Sequence, residues 1–132
     1  MPKFSETSKD RLYEVHPDLI TLFEAVVIDW DCTVISGFRT TEEQQELYAK
    51  GRTTDGSIVT HKDGIVKKSK HQLGLAVDVV PWPSLYSDKK IMHDFGWFVL
   101  ETAERLKKEG KIDNDITWGG VWQWPDMPHY QI

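Results

Sequence analysis

The segment Leu75-Ala-Val-Asp-Val-Val80 constrains this chain more than any other. It is rich in β-formers and closed by Pro81-Trp-Pro83, so it reads as a strand. At its centre stands Asp78, and a carboxylate among apolar neighbours is costly to bury unless something compensates its charge. A metal ion is one compensator and a nearby arginine is the other. The strand pattern alone leaves both open.

Around this strand the pattern predicts a mixed architecture. Ser5, Thr7 and Ser8 offer caps for a first helix whose apolar side includes Leu12 and Val15. Pro17 suits a first helical position, and Leu19, Leu22, Phe23, Val26 and Val27 follow it as a buried stripe. Thr33–Phe38 reads as a strand. Thr40 or Thr41 caps a helix that runs to about Lys50 and stops at Gly51. Asp63-Gly64, at the centre of SIVTHKDGIVKK, predicts a projecting β-hairpin or mobile loop over 56–68 that borders the substrate groove as a lid. Asp88 to Glu109 gives the longest helix, ended by Gly110. Ile116–Trp118 and Pro128–Ile132 finish as strands, the last inside the sheet. Non-consecutive strands with two or three helices predict an α+β fold with a small antiparallel sheet.

At 132 residues the chain fits one domain, residues 1–132, with a single core and no separate wall-binding domain. The lone cysteine, Cys32, excludes an internal disulfide and a four-cysteine metal site, and its apolar setting marks it as a buried hydrophobe. A net charge of −5 disfavours general nucleic-acid binding. No window approaches a membrane span, and the N-terminus lacks the apolar stretch of a secretory signal. The expected location is therefore the cytoplasm.

Of the five histidines, His16 reads as a helix-start residue, His61 as solvated and His93 as structural. His71 lies just before the Asp78 strand, and His129 follows Asp126 by three residues among aromatics. Two imidazoles and one carboxylate supply three zinc ligands and leave a fourth position open for water. Asp126 then has the place of a proton acceptor, and Arg39 that of a fixed positive charge for a developing oxyanion.

Ser69-x-His71-x-x-Gly74-x-Ala76-x-Asp78, followed by Asp126-x-x-His129, resembles the zinc peptidases that include VanY-type D-alanyl-D-alanine carboxypeptidases and phage L-alanyl-D-glutamate endopeptidases. Ser36-Gly-Phe-Arg-Thr40, with Gln44 downstream, resembles that family's lead-in, so the likeness touches residues 36 to 132. It implies a hedgehog/DD-peptidase-like fold and one zinc ion on His71, Asp78 and His129. It implies Asp126 as general base and Arg39 as carbonyl or oxyanion stabiliser. Gln44 and Trp118 are expected at the substrate, and Ser69 near the substrate or orienting a ligand. Many members carry glutamate where Asp126 stands, and the aspartate leans toward the phage enzymes. Trp118, Trp122 and Trp124 crowd this end of the chain, as packing or as one wall of a groove; Trp30 and Trp97 read as core.

With neither signal nor anchor, the expected activity is that of a monomeric phage endolysin. It would collect in the host cytoplasm, be released by a separate holin, and cut the stem peptide of periplasmic peptidoglycan. A D-alanyl-D-alanine carboxypeptidase or dipeptidase is the alternative within the family. A mononuclear iron oxygenase and a non-catalytic binding module are the alternatives outside it.

Overall fold

A computed structural model describes all residues, 1–132. Four helices, α1 (Glu6–Leu12), α2 (Pro17–Asp29), α3 (Thr41–Ala49) and α4 (Lys89–Lys108), accompany four strands. The strands are β1 (Cys32–Ser36), β2 (Ala76–Pro81), β3 (Thr117–Trp118) and β4 (His129–Gln131). They form one antiparallel sheet in the order β1-β2-β4-β3, so the C-terminal strand lies inside it as expected.

The helix starts follow the local chemistry. Ser5 accepts from the Ser8 amide at 3.2 Å, and His16 Nδ1 caps α2 by accepting from the Asp18 amide at 3.0 Å. Thr40 and Glu43 close a reciprocal capping box on α3. Asp88 caps α4 through the Lys90 and Ile91 amides.

The core lies between one face of the sheet and the helices. Leu19, Leu22, Phe23 and Val26 of α2 meet Phe95, Val99 and Leu106 of α4 over Val34, Val77, Val79 and Tyr130. Each such side chain contributes about 1.5–3 kcal/mol of burial. α1 is tied to β1 by polar bonds: Ser8 Oγ accepts from the Val34 amide, and Arg11 donates to the Val34 carbonyl. Cys32 is buried here, and burial raises its thiol pKa, as does Asp31.

The two-residue alternation of strands sets the rest. With Val77 and Val79 turned to the core, Asp78 faces the other side of the sheet. With Tyr130 turned inward, His129 and Gln131 share the face of Asp78. Asp78 and His129 are direct partners across β2 and β4, and a register shift between Val34 and Ser36 sets Ser36 opposite Asp78 on β1.

Three expectations need correction or narrowing. Of the two forms expected for residues 56–68, the hairpin is absent and the segment is a loop. Asp63 Oδ1 instead accepts from the amides of Ile65, Val66 and Lys67, which curls the chain into a side-chain-capped loop. The Asp-Gly pair therefore makes a turn with no strands to join. β1 ends at Ser36, not Phe38, because Gly37 leaves the sheet toward His71. Trp97 is 45% exposed and outside the core, whereas Trp30 is half-buried and packs edge-on against Phe95 and Phe98.

Candidate metal centre

His71, Asp78 and His129 meet at one point. His71 sits in a short 3-10 turn, Lys70–Leu73, immediately before β2. Asp78 Oδ1 lies 3.3 Å from His71 Nε2 and 3.3 Å from His129 Nδ1. The three donor atoms all lie within 4.8 Å of one another. Bonds of about 2.0–2.1 Å to a tetrahedral ion imply ligand–ligand edges of about 3.3–3.4 Å, which both carboxylate–imidazole separations match. The residues present therefore fit a divalent metal of the zinc type, with two nitrogens and one oxygen as donors.

The ring orientations agree with this. His71 Nδ1 is 2.9 Å from the Gly37 carbonyl, which only accepts, so Nδ1 carries the proton and Nε2 presents its lone pair to the site. The Arg39 amide donates to the His71 carbonyl at 3.0 Å, so the segment after β1 and the ligand turn are bonded twice. Gly37 itself is pressed against the end of α1: a Cβ on it would stand 1.9 Å from the Arg11 carbonyl oxygen.

Electrostatics tie the three residues together even without an ion. Burial alone would raise the Asp78 pKa, but in the absence of an ion the imidazoles of His129 and His71 beside it overcome that and hold the carboxyl well below its usual range. Burial would lower the His129 pKa, and its bonds to Asp78 and Gln131 raise it instead. An arginine is thus not the immediate compensator of Asp78. Arg39 acts at a distance, as one of the charges in the same cleft.

That cleft, about 380 Å³, is lined by Arg39, Ser69, Tyr86, Trp122, Asp126 and the three candidate donors, among others. Asp126 Oδ2 stands 3.9 Å from His129 Nδ1, beside the donor set but outside its short contacts. Its carboxyl is half-exposed and its pKa is raised, first by burial and then by Asp78. Arg39 is half-buried, donating through Nη1 to Gln44 Oε1 at 2.8 Å and through Nη2 to Ser36 Oγ at 3.2 Å.

The three residues expected at or near the substrate behave differently. Ser69 is buried, and its hydroxyl accepts from the His71 amide at 3.2 Å, so it holds the ligand turn. Gln44 is 0% exposed; it grips Arg39 and donates to the Lys62 carbonyl, and so cannot reach a substrate. Trp118 is 1% exposed, wedged so tightly beside Gly96 and Gly120 that a Cβ on either would stand within 2.3 Å of its ring. Its indole donates to the Met127 carbonyl at 2.7 Å, which makes it a packing residue beneath the 119–129 segment. The wall of the cleft falls to Trp122, 38% exposed and 5.3 Å from the His129 ring. Sequence reasoning missed Tyr86, Lys62 and Lys70, which also line the cleft. Only the spatial path of the loops identifies them, since none has a distinctive local pattern.

A family model described as phage L-alanyl-D-glutamate peptidase matches residues 1–131. The peptidoglycan L-alanyl-D-glutamate endopeptidase CwlK of Bacillus subtilis is 33% identical over 111 residues, covering 77% of this chain. The chain spans 60% of the length of that relative. Among solved structures, the Serratia marcescens L-Ala D-Glu endopeptidase ChiX superposes with a TM-score of 0.67 at 24% identity, over 99% of this chain and 90% of its own. A zinc-bound D,D-pentapeptidase VanY gives a TM-score of 0.47 at 22% identity, over 87% of this chain and 68% of its own. With nearly its whole length matched by the family model, the chain belongs to the phage L-alanyl-D-glutamate peptidase family.

Proposed function

We propose that this chain is a zinc peptidase that hydrolyses the L-alanyl-D-glutamate bond of peptidoglycan stem peptides, serving as an endolysin in phage-mediated lysis. The observation that carries this reading is the convergence of His71 Nε2, Asp78 Oδ1 and His129 Nδ1 in a cleft that also holds Asp126 and Arg39. The family of the chain and the activity named for CwlK and ChiX support the choice of bond.

His71, Asp78 and His129 would hold one zinc ion, which when bound polarises a carbonyl and lowers the pKa of a coordinated water to about 7. Asp126 takes the proton released as water attacks and returns it to the departing amine. Its pKa is raised by burial and by Asp78, a direction that makes the carboxyl a stronger proton acceptor than a free one. Arg39, held by Gln44 and Ser36, offers a fixed cationic fork to the carbonyl oxygen as charge develops there. Trp122 and Tyr86 supply flat walls for an extended peptide. Lys62 and Lys70 line the same cleft and enter none of the ion pairs of the fold, which suits a substrate bearing free carboxylates. As an endolysin the protein would act as a monomer and reach the wall through a separate holin.

The test is digestion of purified peptidoglycan, with products read by mass spectrometry before and after chelation. New N-terminal D-glutamate, lost with chelator and restored by zinc, is the expected result. Release of single terminal D-alanine would replace the endopeptidase with a carboxypeptidase. Undiminished cleavage in excess chelator would overturn the metal reading.

A further inference from the structure

His129 differs from His71 in the nitrogen it turns to the ligand cluster. His71 presents Nε2 and uses Nδ1 to reach a backbone carbonyl. His129 presents Nδ1, which leaves Nε2 pointing away from the cluster. There it meets Gln131 Oε1 at 2.8 Å. The two residues are i and i+2 on β4, so the alternation that brings His129 to the site face brings Gln131 to it as well.

An imidazole that gives the Nδ1 lone pair to a metal must carry its one remaining proton on Nε2. The complement to that proton is an acceptor, and the Gln131 amide oxygen is the acceptor in place. Gln131 lies on the last ordered strand, where the Ala76–Gln131 and Thr117–Gln131 pairings hold its backbone from both sides. Its side chain therefore starts from a rigid position, and both ring nitrogens of His129 are engaged at once.

We infer that Gln131 is the positioning residue of the third metal ligand: its amide oxygen fixes the Nε2–H tautomer and the ring plane of His129, so that Nδ1 is presented to the ion. This rests on the zinc reading proposed above. Gln131 contacts the ion only through His129. It also lines the cleft, so a direct role in gripping peptide is the competing account.

The experiment compares Gln131→Met, which keeps the unbranched chain and loses the acceptor, with Gln131→Glu, which keeps an acceptor on a side chain of the same length. Zinc affinity is read by competition with a chromophoric chelator, and the fold of each metal-free protein by its melting temperature. Gln131→Met is expected to bind zinc about 10- to 100-fold more weakly than wild type, the usual effect of losing a partner behind a ligating imidazole. Gln131→Glu is expected to bind at least as tightly as wild type. At saturating zinc, Gln131→Met should recover most of its turnover with little change in KM. In the zinc-loaded wild type, the His129 Nε2–H should be visible by ¹⁵N-resolved NMR as a protected proton, and it should exchange freely in Gln131→Met. Should Gln131→Met melt far below wild type, Gln131→Ala repeats the comparison. Wild-type zinc affinity in the methionine variant, with KM raised, would overturn the inference and leave the zinc reading standing. No zinc uptake by wild type would remove both.

Discussion

Gln44 offers the sharpest test of how the cleft is held in shape. It is an uncharged side chain with no exposed surface, and it joins two segments that no strand connects. Its Oε1 accepts from Arg39 Nη1 at 2.8 Å, and its Nε2 donates to the Lys62 carbonyl at 2.8 Å. A contact to Thr60 Oγ1 at 3.4 Å is at the long edge of hydrogen bonding and adds little. Gln44→Met keeps the volume and the straight chain, so no cavity cost enters. It removes one bond to a charged donor, about 1.5–3 kcal/mol, and one neutral bond, about 0.5–1.5 kcal/mol. Arg39 is only half-buried, so water replaces part of what it loses. The lower part of the combined range applies, about 2 kcal/mol. Urea unfolding followed by tryptophan fluorescence, at constant m, reads this directly.

The same substitution has a separable effect on turnover. With Gln44 gone, Arg39 keeps only the longer bond to Ser36 Oγ, and its guanidinium swings. A displacement of about 1 Å at an aligned group costs up to about 100-fold in rate. Peptidoglycan hydrolysis should therefore fall while zinc affinity stays the same, because no metal ligand touches Gln44. Gln44→Glu divides the two functions. Its carboxylate still accepts from Arg39 and preserves most of the rate. It has no donor for the Lys62 carbonyl, so the loss of stability remains. A methionine variant within about 0.5 kcal/mol of wild type would refute the assigned bonds, as those bonds alone predict more. So would a variant that loses zinc together with activity.

Other expectations follow from single contacts. Gly37→Ala forces a Cβ into the backbone carbonyl of Arg11. It should destabilise by about 2–3 kcal/mol and weaken zinc binding by shifting the acceptor of His71, both visible in melts with and without zinc. Tyr130→Phe deletes a buried hydroxyl that has no hydrogen-bond partner. Stability in urea should hold or rise by about 1 kcal/mol, and a clear loss would reveal a partner. Asp126→Asn carries a sign that depends on pH. Its folded-state pKa lies above the ordinary value, so the ionised carboxylate opposes folding above the unfolded pKa of about 3.9 and is neutral below it. The metal-free variant should therefore gain stability at pH 7, by less than about 1 kcal/mol after screening by solvent, and gain none at pH 3. Hydrolysis by the same variant should drop about 100-fold or more.

The parts of this architecture that were legible in the sequence share a physical origin. The α2 stripe and the β2 run are legible because burial repeats with the period of the element, and three of the helix starts because Ser5, Thr40 and Asp88 have to accept free amides. Asp78 was legible because a charge in an apolar strand demands a partner. The sequence left a hairpin and a loop open over 56–68, because Asp-Gly makes a hairpin turn only when strands flank it. Here the Asp63 carboxylate takes three amides that a second strand would have paired. Trp118 was misassigned because aromatic character suits a groove wall and a core equally. What decides between them is Gly96, a glycine twenty-two residues away on α4 that leaves room for the ring.

The ligands and the residues that aim them differ in a further way. A candidate ligand such as Asp78 conflicts with its neighbours, and the conflict is local, so it shows in a window of six residues. Gln44 and Gln131 conflict with nothing. A neutral amide sits as easily on a helix surface or in a terminal strand as in a buried network, and its partners, Lys62 and Arg39 in one case and His129 in the other, become visible only when the chain is folded. This asymmetry predicts where substitutions in this chain will be misjudged. Changes at His71, Asp78 or His129 announce their consequences, while a glutamine-to-methionine exchange at 44 or 131 looks conservative and removes the bonds that align Arg39 or His129. Zinc affinity separates the two sites, since only the exchange at 131 should move it.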